Sequence, residues 1–441
     1  MNTYPTRIAL IASLGGFLFG FDTAVISGAE QAIQKLWGLS GFVHGFTIAS
    51  GLIGTVVGAM VAGIPAQKYG RKKVLSAIGI LFLFAAVGCS LTSVWILFII
   101  ARIAGGVAVG ASSVVGPTYI AEIAPAHKRG RLVATFQLNI VIGILIAFLS
   151  NYLLVDIGEN AWRWMLGVQA LPAVIYIILL RSIPESPRWL MVQGRDAEAK
   201  AIFQRTGEPD IAREMTEIKQ SLHTGKTESV FNKKFRKPVI FAVLLAMFNQ
   251  LSGINAILYF APRIFEMAGV PAGAVAFQQA IYVGLANVIF TLIAMSVIDK
   301  FGRKTLLIIG SAGMVVFLGL TAYVFGSGTG GEMVKWLLVG FIAFFAFSQG
   351  AVIWVFISEI FPNSVRSQGQ ALGSSTHWVM DVIITWTFPV VVSASSSGGY
   401  YSFIFYTGMM LLCLLFAWRM LPETKGRSLE EIQRDLGIVE H

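Results

Sequence analysis

Twelve stretches of this chain, each long enough to cross a bilayer as a helix, are almost free of charge. They lie at about 8–29, 41–63, 74–93, 95–121, 132–154, 162–180, 238–262, 274–298, 305–325, 333–358, 367–394 and 399–421. No soluble core has use for so many. Composition agrees, with 56% hydrophobic and 13% charged residues over 441 positions. The chain therefore reads as an all-α integral membrane protein with twelve transmembrane helices. Its glycines suit close helix packing in lipid, as in Gly54-x-x-x-Gly58 and Gly106-x-x-x-Gly110.

The net charge of +10 follows this topology and gives no sign of nucleic-acid binding. Lys68, Arg71, Lys72 and Lys73 follow the second span, and Lys128, Arg129 and Arg131 follow the fourth. The polar segment from Arg181 to Lys237 holds twelve basic and eight acidic residues. Lys35, Arg163, Arg263 and Lys335 are all that the opposite loops carry. Basic residues gather on the cytoplasmic side, so both termini are expected there. The absence of any Asn-x-Ser/Thr sequon favours a bacterial inner membrane.

The chain also states its motifs twice. Glu122-Ile123-Ala124-Pro125 through Arg129 returns as Glu359-Ile360-Phe361-Pro362 through Arg366. Gly70-Arg71-Lys72 returns as Gly302-Arg303-Lys304, and Pro184-Glu185-Ser186 as Pro422-Glu423-Thr424. Three echoes in one order imply two related halves, and in a membrane chain paired halves point to a transporter with its substrate between them. The expected organisation is a six-helix bundle over 1–180, a cytoplasmic helical insert over 181–237, a second six-helix bundle over 238–421 and a cytoplasmic tail over 422–441. The insert is either a solvated linker or a brace. In the tail, Ser428 and Glu431 have the spacing of a capping box.

Gly allows a tight turn before Arg71 and Arg303, and each arginine can then reach a carboxylate at a neighbouring helix end. Glu122 and Glu359 are the natural partners. With Glu185, Arg129 and Arg366 they are expected to form a cytoplasmic latch that differs between conformations. Positive-inside charge accounts for the Lys/Arg content but not for the matched Gly and Glu.

These motifs, with Gly15-Gly16-Phe17-Leu18-Phe19-Gly20-Phe21-Asp22 and Gln250-Leu251-Ser252-Gly253-Ile254-Asn255, resemble those of the sugar porters of the major facilitator superfamily. The resemblance spans about Ala12 to Glu431 and is nearest to the bacterial proton-coupled symporters of pentoses and hexoses. It implies a monosaccharide and a proton as partners within a lipid bilayer.

An acid inside a span costs about 2.5–3.5 kcal/mol on insertion scales and is usually functional. Asp22 is such an acid, and Arg102 is the other strongly charged residue in the middle of the first half. They either neutralise each other as a structural pair or form a proton-coupling pair. A conformational change that alters their separation alters proton affinity. The family's proton-coupled members carry Asp at this position.

By resemblance, the sugar ligands are Gln137, Gln250, Asn255 and Asn287, with Trp354 and Trp378 offering aromatic faces. Amides both donate and accept, which suits a polyol. Tyr259 and Phe260 are candidate gates near Pro262. Three residues depart from the family pattern. Asn249 replaces a Gln, while His377 and Asp381 stand where amides are usual. Asp381 is read as a second proton site, a sugar ligand or a partner of His377. Span ten lacks the family's paired prolines, which puts a hinge there in question.

No Walker loop, metal-spaced cluster or nucleophile elbow is present, so no enzyme, metal or cofactor is expected. Energy must come from an ion gradient or from the sugar itself. Besides symport, a passive uniporter and a membrane sugar sensor are the other readings. A sensor would carry a longer extension than the tail from Pro422.

Overall fold

The computed structural model describes residues 3–223, 228–362, 364–427 and 429–438. Every regular element among them is helical. The first half contains α1 (Tyr4–Leu36), α2 (Gly41–Val61), α3 (Gly63–Tyr69), α4 (Arg71–Leu91), α5 (Trp95–Ile123), α6 (Arg129–Leu154), α7 (Ala161–Gly167) and α8 (Ala170–Leu180). The polar insert holds α9 (Pro187–Val192), α10 (Asp196–Thr206) and α11 (Ile211–His223). The second half contains α12 (Arg236–Leu251), α13 (Ile254–Tyr259), α14 (Ala261–Met267), α15 (Ala274–Phe301), α16 (Arg303–Ser327), α17 (Val334–Phe345) and α18 (Ala351–Ile360). It closes with α19 (Arg366–Ala394), α20 (Gly398–Arg419) and α21 (Leu429–Leu436). With consecutive elements joined, the described residues form twelve helical spans long and apolar enough to cross a membrane. Ser428 of the expected capping box lies outside the described residues.

The chain divides into two compact units. Unit 1 comprises Met1–Val25, Ser50–Ser150 and Glu159–Lys226, and unit 2 comprises Ile26–Ala49, Asn151–Gly158 and Thr227–His441. The last part of α1 and the first part of α2 thus belong with unit 2.

In unit 1, α4 packs against α5, α7 and α8. Glycine brings α2 and α5 into backbone contact. A methyl on Gly54 would lie 2.2 Å from the Ile103 carbonyl oxygen, and one on Gly106 would lie 1.7 Å from that of Gly51. Such small-residue seams replace the hydrophobic drive that lipid does not supply.

Unit 2 repeats the plan. α16, the equivalent of α4, packs against α17 and α20, while α12 packs against α19. Phe241, Phe356, Phe361 and Phe416 fill the core among these helices. The seventh span is broken at Gly253, where φ is +81°. A side chain there would also strike the Tyr406 ring at 2.4 Å, so both backbone and space demand glycine. Phe260 makes the second break before Ala261 and Pro262 open α14. Span ten has no proline, yet it does not run as a regular helix. A π-helical turn at Ala346–Gly350 separates α17 from α18, and such turns are one of the few devices that bend a helix without proline.

Candidate functional site

The repeated motifs build the same knot twice. In unit 1, Gly70 has φ +96° and turns the chain into α4. The first backbone N–H groups of that helix have no partner of their own. Glu185 supplies one, its Oε1 accepting from Arg71 N at 2.9 Å and Lys72 N at 3.1 Å. The Arg71 guanidinium then forks onto Glu122, with both bonds at 2.9 Å, and Ser186 Oγ donates to Glu122 Oε2 at 2.5 Å. In unit 2, Glu423 accepts from Arg303 N at 2.8 Å and Lys304 N at 3.1 Å. Arg303 forks onto Glu359 at 2.9 and 3.2 Å, and Thr424 Oγ1 donates to Glu359 at 2.6 Å. Each knot lies inside one unit.

Arg129 and Arg366 sit elsewhere. Arg129 pairs with Glu214 on α11 at 3.1 Å, and Arg366 donates to the Phe361 carbonyl at 3.4 Å. Gln67 takes part through its backbone, accepting from Trp189 Nε1 at 2.8 Å.

Asp22 on α1 and Arg102 on α5 face each other within unit 1. Both side chains are buried, and Arg102 Nη1 stands 3.3 and 3.4 Å from the two carboxylate oxygens. A charge-assisted bond is ordinarily about 2.7–2.9 Å. This pair is therefore slack, where the Arg71–Glu122 fork is tight. Gln137 lies on α6, half-buried.

In unit 2, α12, α13 and α19 assemble a polar cluster. Asn255 Nδ2 donates to Gln250 Oε1 at 3.0 Å and to Asp381 Oδ2 at 2.6 Å. Gln250 Nε2 faces Asn249 Oδ1 at 3.3 Å and His377 Nε2 at 3.0 Å. Thr385 Oγ1 donates to Asp381 Oδ1 at 3.1 Å. The His377 ring lies 5.0 Å from Trp354 and 5.0 Å from Trp378. Trp354 is 38% exposed and Trp378 buried. Asp381 bonds Asn255 and Thr385, not His377 as one of its three readings had it. Asn287 is buried on α15. Tyr259 and Phe260 are buried too, and the Phe260 ring lies 5.1 Å from Phe388 and 6.3 Å from His44.

The Sugar (and other) transporter family matches residues 8–436 of this chain. The D-xylose-proton symporter of Escherichia coli is 35% identical, over 98% of this chain and 96% of its own length. The arabinose-proton symporter of Bacillus subtilis is 39% identical, over 97% of this chain and 94% of its own. The chain belongs to the sugar transporter family. Its fold agrees with a solved structure of the E. coli xylose transporter in an inward-open conformation, at TM-score 0.88 and 35% identity, covering 98% of this chain and 99% of that one. As a sugar transporter of the major facilitator fold it is a multi-pass membrane protein, and it is no enzyme.

Sequence reasoning missed one charged cluster in this transporter. Glu30, fully buried near the end of α1, receives a fork from Arg263 of α14 at 2.8 and 2.7 Å. His44 Nε2 lies 2.8 Å from the same carboxylate, and Arg263 also donates to Gln34 Oε1 at 2.6 Å. Gln31 donates to Glu266 at 2.9 Å beside it. All these residues fall in unit 2. The signal was present: Glu30 and His44 flank the first loop, and Arg263 is one of the four cations counted among the opposite loops. The expected first span stopped at 29, but Glu30 is buried against partners and α1 runs on to Leu36.

Proposed function

We propose that this protein takes up a monosaccharide together with a proton, with a pentose of the xylose or arabinose kind as first choice and a hexose as second. The observation that carries the reading is the slack, buried Asp22–Arg102 pair. At 3.3 Å the contact is long enough for a small helix shift to part the two side chains. The relatives named as symporters of xylose or arabinose with protons support the choice of ion and sugar.

On unit 2, the sugar would meet Asn255 and the Trp354 face, with Gln250, Asn287 and Trp378 behind them. Each hydrogen bond is worth about 0.5–1.5 kcal/mol net, so affinity is modest and release is fast. The two arginine–glutamate knots brace helix ends at the cytoplasmic face, where both termini lie, and Tyr259 and Phe260 gate the opposite side. The membrane is the bacterial inner membrane.

Sugar-induced alkalinisation of de-energised cells tests this. Xylose, arabinose, glucose, galactose and fucose are added in turn to cells expressing the wild type or Asp22→Asn. The expected result is a pH rise with one sugar, abolished in Asp22→Asn while sugar exchange survives. Entry of labelled sugar without proton movement, equal in both proteins, would instead mark a uniporter with Asp22–Arg102 as a structural pair.

A further inference from the structure

The amides in the unit 2 cluster have a fixed direction, and the residue that fixes it is Asp381. Both hydrogens of an amide nitrogen donate, and that nitrogen does not accept. On Asn255 both are committed, one to Gln250 Oε1 and one to Asp381 Oδ2. At 2.6 Å Asp381 Oδ2 is the second partner, and an ionised carboxylate accepts at both oxygens. Its other oxygen accepts from Thr385 Oγ1. Against the ionised Asp381, a flipped Asn255 with its carbonyl oxygen turned on the carboxylate would set two acceptors against each other.

The direction then propagates. Gln250 must turn Oε1 to Asn255, so its Nε2 points to Asn249 Oδ1 and to the imidazole. The facing ring nitrogen of His377 accepts. Asp381 itself is 1% exposed, and among the described residues no cation pairs with it. Asn255 and His377 are half-buried, while Gln250 is buried. With both Asn255 hydrogens used, the atom that Asn255 keeps for a ligand is Oδ1, an acceptor.

We propose that Asp381 is a specificity-determining positioning residue, which holds Asn255 so that the pocket demands a donating hydroxyl from the sugar at one ring position. This inference rests on the sugar-binding role proposed above for Asn255. It concerns which hydroxyl roles are read, not how the proton is coupled. An amide at position 381 would relax the demand, because it can donate to a flipped Asn255 as well as accept from the present one.

The test compares deoxy and deoxyfluoro analogues of the transported sugar as inhibitors of counterflow in proteoliposomes, a readout independent of the proton gradient. Fluorine can accept a hydrogen bond but cannot donate one. In the wild type, deoxy and deoxyfluoro analogues at one ring position should both lose about 3–10-fold in apparent affinity, the loss of one hydrogen bond. In Asp381→Asn, and again in Asp381→Leu, the deoxyfluoro analogue at that position should recover about 3-fold relative to the deoxy one.

Unchanged ratios in both variants would overturn the proposal. So would a wild type that accepts the deoxyfluoro analogue as well as the parent sugar at every position, and that result needs no variant to fold. Failure of the sugar-binding reading looks different: the wild type would show no counterflow with any monosaccharide, and both inferences would fall together.

Discussion

Gly70 and Gly302 are matched because, in each unit, a carboxylate occupies the space a side chain would fill. A methyl group would meet Glu185 Oε2 at 2.3 Å and Glu423 Oε2 at 2.6 Å, and both residues have φ near +90°. Substituting either by Ala therefore strains the backbone and pushes the helix-capping glutamate away. Gly70→Ala and Gly302→Ala should each cost about 1–3 kcal/mol, whereas Gly63→Ala, with open space around it and ordinary helical φ, should be neutral or slightly stabilising. Thermal unfolding of the three variants in detergent checks this, and equal melting temperatures would refute it. The same pairing of glycine, arginine and glutamate was legible in the sequence, because a repeat marks residues that composition alone does not explain. Asp381 was legible only as an oddity. Its contact with Asn255 across two helices is not written in the sequence.

Helix ends were harder to read than helices. Hydropathy carried the first span through Asp22 but stopped it before Glu30, a charge buried against a partner on α1. It also hid the role of Arg263, which was counted among loop residues and instead forks onto Glu30 from α14. Buried pairs of this kind are costly to break from one side, by about 3–5 kcal/mol, because a lone charge remains behind. Arg263→Ala should accordingly destabilise the protein strongly, and Glu30→Ala with Arg263→Ala should recover part of the loss. A double-mutant cycle on thermal stability measures the coupling, and additive losses would show that the pair contributes nothing jointly. Span ten carries a second lesson. Its missing prolines put a bend in question, but a π turn at Ala346–Gly350 interrupts the helix by other means. A π turn without proline leaves little trace in composition.

Twelve spans and two related halves were legible over the whole molecule, since both are written in long-range patterns rather than in single contacts. The units drawn by packing follow a different line, with Ile26–Ala49 joining the second. That segment carries Glu30 and His44, whose contacts the charge pattern concealed, and Gly41 and Gly45, which meet α19. At this scale the account makes one energetic demand. A carrier that moves one proton per sugar can draw on the membrane potential, which is worth about 2.3 kcal/mol per charge at 100 mV. That supports roughly 50-fold accumulation, at about 1.4 kcal/mol per tenfold. A uniporter stops at equal concentrations under any potential. The decisive measurement is therefore uptake of the labelled sugar into proteoliposomes held at an inside-negative potential, wild type beside Asp22→Asn, with counterflow recorded in the same preparations. The wild type should accumulate sugar well above the outside concentration, and Asp22→Asn should stop at equilibration while retaining counterflow. A wild type that only equilibrates, or an Asp22→Asn variant that accumulates as well as it does, would contradict proton coupling through Asp22.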